Sequence, residues 1–328
     1  MNFVEQEQPT EAIKTLIKNT VLGSNGARYR HVNPLKQLTK LDNPLYFSLM
    51  AKEQCLGNIT LCQRNQSLYL RYFTFHERYQ ASLYSIKRKK SKNSVIKEQV
   101  NRYLNSLIAE TKQSIYAYIE PDNIRSINMA KEFGFNPIAK IAMYHFSRRF
   151  PKASGQFKLL TYDEAIPFIR NQFSTHSYYV ENPNSGLYAA WVTNNEMAII
   201  TRFHEGCWEI KSMKGAFGKL LINLIPWVPI LNKIITPNCH KFLAFDSFLV
   251  LNPSIDTKEL NAFLSAGLAH FNGRHMMHWV DESAASSNYL HGVRWGILDK
   301  IIGKSEISLM VKGHAKSGPY FIDAMDML

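Results

Sequence analysis

The sequence predicts an α+β protein of two units in tandem, each a mixed, mostly antiparallel sheet flanked by helices. Three observations predict it. Segments that alternate apolar and polar residues come in series, then give way to helix, strand, helix and strand. Residues 119–135 (IEPDNIRSINMAKEFGF) read as a strand end, a break at Pro121-Asp122 and a short helix. The same order then recurs, on element order rather than identity, beyond a basic Pro/Gly-bearing linker at 148–156. At 328 residues, 45% apolar and 12% aromatic, the chain can bury real cores, which argues against disorder.

In order along the chain, residues 10–19 read as a helix and the next twenty or so are polar and turn-rich. Residues 44–52, 55–63 and 67–75 read as an antiparallel meander, the third strand aromatic and alternating. A basic run, Lys87–Asn93 (KRKKSKN), precedes a helix at 94–110 with Val95, Ile96, Val100, Tyr103, Leu104 and Leu107 at helical spacing. A strand at 114–119 leads into the short helix. There Asn123 offers an N-cap acceptor, Ile127, Met129, Ala130 and Phe133 an apolar face, and Gly134 a left-handed cap. A strand at 139–148 completes the first unit, so the expected domains are 1–150 and 151–328.

In the second unit, residues 157–162 read as a strand and 163–173 as a helix. A meander follows at 187–193, 197–203 and 207–213. Residues 218–235 are apolar, but Lys219, Asn223, Pro226, Pro229, Asn232 and Lys233 interrupt them, which predicts a buried or interfacial helical hairpin and not a spanning helix. The rest reads as a strand at 240–251, a helix at 257–271, a strand at 275–280, a helix at 288–302 and a strand at 307–311.

The pattern N-x-x-S-x-x-M-x-x-x-x-G-F at Asn123–Phe135 resembles the last motif of the GNAT-type N-acyltransferases, which use acetyl-CoA. The order β-β-β-loop-α-β-α-β is also the GNAT order. The resemblance covers roughly residues 44–148 and implies GNAT-like units, the second one degenerate. It implies acetyl-CoA or another acyl-CoA as co-substrate, no metal, and acyl transfer to an amine of a small molecule or peptide. It places a phosphate loop at Arg88, Lys89, Lys90, Ser91, Lys92 and Asn93, opening the helix at Ser94. Ser91 and Asn93 stand where the family has glycines, and five cations among residues 87–92 offer charge in place of fit. A second register, residues 80–85, would demand an overlong helix through the basic run. Phe73 and Phe75 fall on the strand that meets the pantetheine arm, and Asn123 and Ser126 at the helix that follows. Glu77 is the candidate general base, with His76 beside it. The position where many relatives carry a tyrosine acid is Ala130.

A net charge of +13 draws anions without choosing among them. The rival reading is therefore a non-catalytic basic module for an acidic ligand, protein or nucleic acid. Nucleic acid is disfavoured because the basic run is short and lacks interleaved aromatics. Action at a membrane surface, drawing on the 218–235 insert, is a third reading. Cys55, Cys62, Cys207 and Cys239 lack metal-type spacing, and with no apolar leader this predicts reduced thiols and a cytoplasmic home. In the second unit Asp246, His275, His278, Asp281 and Glu282 suggest chelation or acid–base work. His275 and His278, however, point to opposite faces of one strand, so these residues read as structural or substrate-lining. That unit is expected to shape the acceptor side.

Overall fold

A computed structural model describes residues 2–23, 28–41, 43–76, 92–213, 218–229, 231–284, 286–303 and 305–328, the side chains of 92–94, 219 and 221 excepted. The chain forms two compact units. The first takes residues 1–25, 33–139 and 308–316, the second residues 26–32, 140–307 and 317–328.

The first unit opens with β1 (Asn2–Gln6) and α1 (Glu11–Asn19), whose N-cap is Thr10. Then, past β2 (Arg28–His31), come α2 (Pro34–Leu38) and the meander β3 (Leu45–Ala51), β4 (Gln54–Arg64) and β5 (Ser67–Phe75). The helix α3 (Lys92–Thr111), the strand β6 (Ser114–Ile119) and the helix α4 (Ile124–Glu132) follow, and β7 (Asn136–Ser147) passes at Lys140 into the second unit. Helices cover both sheet faces. On one, Ile13, Leu16 and Ile17 of α1 pack on Tyr46, Cys55 and Tyr72. On the other, Ile96, Val100 and Leu104 of α3 and Met129 and Phe133 of α4 pack on Phe47, Ile59 and Phe75. Each such side chain contributes about 1.5–3 kcal/mol when fully buried.

The second unit holds β8 (Phe157–Leu160), α5 (Tyr162–Phe173), β9 (Leu187–Thr193) and β10 (Glu196–Ser212). The insert follows as α6 (Gly218–Leu224), a 3₁₀ turn and α7 (Leu231–Ile234). After it come β11 (His240–Val250), α8 (Thr257–His270), β12 (His275–Asp281), α9 (Ser287–Leu290) and α10 (Ile297–Ile302), and then β13 (Ser305–Lys312), which from Ser308 belongs to the first unit. Here α8 buries Phe263 and Leu264 against Trp191, Phe203 and Phe245, while Ile166, Ile169 and Phe173 of α5 meet Tyr188 and Ile200 on the opposite face.

Strand order is β1-β3-β4-β5-β6-β13 in the first unit and β7-β12-β11-β10-β9-β8 in the second, with β2 also on β10. The last strand of each half thus pairs in the other half's unit. Ser308–Lys312 runs antiparallel to β6, and Ile141–Ser147 antiparallel to β12.

Several expectations are corrected. The strands expected at 197–203 and 207–213 are one strand, β10. Its far end gains a partner in β2, an element the turn-rich composition of that stretch concealed. The helix expected at 288–302 is broken into α9 and α10. Carbonyls between them are taken from outside, by Ser147 N–H on Trp295 (2.7 Å) and the Arg148 guanidinium on Arg294 (2.6 Å). Cys207 and Cys239 are disulfide-bonded, with Cα atoms 5.8 Å apart, in place of the expected reduced thiols, while Cys55 and Cys62 are buried and outside any disulfide. Strands β10 and β11 are antiparallel neighbours there, which brings the two cysteines together. No helix among the described residues is long and apolar enough to cross a membrane.

Candidate active site

In the first unit β5 and β6 run parallel, and their ladder holds three pairs, Ser67 with Ser114, Leu68 with Ile115 and Tyr69 with Tyr116. Beyond Tyr69 the pairing stops, although β5 continues to Phe75 and β6 to Ile119. The cause lies on the other edge of β5. Leu61 of β4 faces Leu70 and Thr60 faces Tyr72, so Arg71 is an extra residue, a β-bulge. A bulge bends its strand and increases the local twist, which turns β5 away from β6.

Helix directions bear on this wedge. A helix that crosses between two parallel strands runs antiparallel to them, so α3 starts at their C-terminal, diverging ends. Helix α4 follows β6 directly and starts at the same end. Both helices therefore begin at the end of the sheet where β5 and β6 diverge, with the positive ends of their dipoles.

The proposed site residues fall into place unevenly. Phe73 and Phe75 lie on the diverging stretch of β5, their rings 5.2 Å apart, with Phe73 5.6 Å from Phe133. Phe75 packs against Gly57 of β4, where an added Cβ would come within 2.3 Å of the ring. Asn123 caps α4, its Oδ1 accepting from Ser126 N–H at 3.2 Å. Lys92, Asn93 and Ser94 form the first turn of α3. Glu77, Arg88, Lys89, Lys90 and Ser91 lie outside the described residues. Ala130 is buried in the core beneath α4.

The second unit repeats the device and closes it. Its β11–β12 ladder also has three parallel pairs, Leu243 with Met276, Ala244 with Met277 and Phe245 with His278. Again an extra residue follows, because Ile200 faces Leu249 while Arg202 faces Asp246. Ser247 sits in that irregularity with φ of +51°. Here the chain's own residues bridge the diverging ends: Tyr320 N–H donates to Asp281 Oδ2 (3.0 Å) and Ala324 N–H to Asp246 Oδ2 (2.7 Å). The helix that starts at this end, α8, opens with acid. Asp256 and Glu259 form a capping box that occupies two N–H groups and sets two carboxylates at that helix start.

Asp246 belongs to a buried ion cluster. Burial favours its neutral form, but both carboxylate oxygens accept from Arg202 at 2.8 Å and His204 lies at 3.3 Å, which together hold it below the usual carboxylate range. Asp323 also reaches Arg202, at 3.4 Å. His204, Asp246 and Asp323 have the donor types and spacing for a metal ion; the Arg202 guanidinium already supplies a cation to both carboxylates. Neither His204 nor Asp323 stood out in the sequence, because their partners lie far along the chain. His275 and His278 do separate to two environments. His275 bonds His145 (3.0 Å) and His240 (2.9 Å), and His278 Nδ1 meets the Phe245 carbonyl oxygen at 2.8 Å.

No protein-family model matches the sequence, and no curated protein matches it. Solved structures do. An N-myristoyltransferase from Saccharomyces cerevisiae with bound myristoyl-CoA superposes with a TM-score of 0.55 at 8% identity, over 96% of this chain and 83% of its own. A putative acetyltransferase from Pyrococcus horikoshii superposes at 0.51 and 9% identity, over 95% and 90%. A GCN5-related N-acetyltransferase from Sphaerobacter thermophilus, at 0.49 and 12% identity over 94% and 95%, falls lower, and the fold assignment rests on the other two. The chain has the GNAT-type acyltransferase fold.

Proposed function

We propose that the protein transfers an acyl group from acetyl-CoA or a longer acyl-CoA to an amine, with the donor in the wedge of the first unit. One observation carries the reading: a bulge in β5 ends the β5–β6 ladder after three pairs, at the end of the strands from which α4 follows. Diphosphate would lie on the N–H groups opening α3, with Arg88, Lys89, Lys90 and Lys92 supplying charge and Ser91, Asn93 and Ser94 hydrogen bonds. The peptide-like pantetheine arm would extend the β5 edge along Phe73 and Phe75, with Asn123 and Ser126 opposite. A strand N–H would receive the thioester oxyanion, and Glu77, with His76 adjacent, would take the proton from an ammonium acceptor. The acidic start and bridged ends of the second wedge support a donor site in the first unit alone. The myristoyl-CoA of the yeast neighbour supports a thioester nucleotide of that kind.

The rival reading, a basic binding module without turnover, draws on Ala130 and on the glycine-poor loop. Thermal unfolding separates the two. Acetyl-CoA at a hundred times its Kd should stabilise the protein by about 2.7 kcal/mol, and charge reversal at Lys89 and Lys90 should abolish the shift. No shift at millimolar ligand rejects the acyl-CoA site. In an amine acetylation assay Glu77→Gln should slow turnover by roughly 10²-fold or more with the shift intact. Turnover at the parent rate would remove Glu77 from the mechanism.

A further inference from the structure

The insert between β10 and β11 is apolar on two sides. Its inner side is accounted for: Ile225, Ile234 and Ile235 close on Leu298. Its tip is tied internally by Val228 N–H on Ile225 O, Asn232 N–H on Val228 O, and the Asn232 amide on Pro226 O at 3.1 Å. The outer side is not covered. Leu220 is 53% exposed, Leu224 47% and Trp227 81%, and Pro226 and Pro229 bracket the Trp227-Val228 tip. Phe150, in the linker of the same unit, is 66% exposed, and Lys233 of the insert reaches over its ring at 5.7 Å. The Arg149 guanidinium lies 4.9 Å from that ring.

Charge identifies the partner. From Ile210 through Phe245 there is no Asp or Glu, but there are Lys211, Lys214, Lys219, Lys233 and Lys241. The segment carrying Phe150 is alike: from Phe133 through Tyr162 there is no acid, while Lys140, Arg148, Arg149, Lys152 and Lys158 are present. Exposed Trp, Phe and Leu carried on segments rich in Lys and Arg and without Asp or Glu match the interface of an anionic bilayer, where apolar groups enter the headgroup region and cations meet lipid phosphates. We propose that the Gly218–Ile234 hairpin, with Phe150, docks this protein on anionic membrane surfaces without spanning them.

The test uses the full chain with vesicles of phosphatidylcholine alone or mixed with phosphatidylserine. The protein should float with the anionic vesicles at low salt and detach as salt rises. Trp227→Ala should weaken partitioning roughly tenfold or more, by loss of a buried aromatic. Lys233→Glu should weaken it about fivefold or more on anionic vesicles only. Circular dichroism and thermal unfolding show whether the variants fold, and a shift of tryptophan emission with vesicles reads insertion in the parent chain. The proposal is overturned if the parent chain does not float with anionic vesicles, or if a folded Trp227→Ala/Phe150→Ser variant floats equally well. A Trp227-dependent dimer in sedimentation, without vesicle binding, would assign the surface to a second copy and also overturn it.

Discussion

Lys312 is a buried cation whose Nζ donates to the Phe133 carbonyl and to Asn101 Oδ1 (3.1 Å). The first acceptor ends α4, where carbonyls are short of partners and the helix dipole favours positive charge. Burial lowers the lysine's pKa, so the contact depends on both acceptors staying in place. Lys312→Met keeps the stem and removes the donor. It should destabilise the fold by about 1–3 kcal/mol in urea unfolding, through the stranded acceptors; an unchanged midpoint would rule that role out. Such a contact cannot be read from sequence, since Phe133 lies 179 positions away. Local roles were readable: Asn123 caps its own helix, and Gly134 has φ of +80°, because both depend on neighbours a few residues off.

Elements with a clear period were legible. Strands β5, β6 and β9 fall at the residues where alternation puts them, and α3 buries the Ile96, Val100, Leu104 and Leu107 stripe that its spacing announces. The two bulges were not legible, because one extra residue leaves no mark on composition. Yet they separate the strands on which the candidate site depends. Ser247 gives the second bulge a test. Its φ of +51° is tolerable for Ser, whose hydroxyl donates to Asp246 Oδ1 at 2.8 Å, but not for a β-branched chain. Ser247→Val should cost about 1–3 kcal/mol and Ser247→Gly clearly less, measured by chemical unfolding. Equal costs would show that the backbone angle is not what the site demands.

Over the whole molecule, stability should depend on pH through a line of imidazoles on β7, β12 and β11. His145 and His240 are held neutral down to about 4, mainly by burial, with His240 adding to the effect on His145; His278 is likewise lowered to about 4. His275, between two other imidazoles, lies well below its ordinary value. Unfolding releases these groups to a value near 6.5, where they take up protons the folded core refuses. Their contribution is therefore complete above about pH 6.5 and is lost as pH falls toward 4, at up to about 1.4 kcal/mol per pH unit for each histidine. Unfolding free energies measured across that range should show the slope, and a His145→Gln/His240→Gln variant should flatten it. An unchanged slope would place the acid sensitivity elsewhere. The composition counts these histidines, but only the strand order makes them neighbours.

The exchange of β7 and β13 has a consequence during synthesis. Residues 114–119 leave the ribosome long before residues 308–312, so until those later residues are made the nascent first unit presents β6 with that edge bare. Such an edge is a template for the wrong strand. An early sheet is completed by a strand made much later, and a growing polypeptide of this design has most need of a chaperone between the emergence of β6 and that of β13.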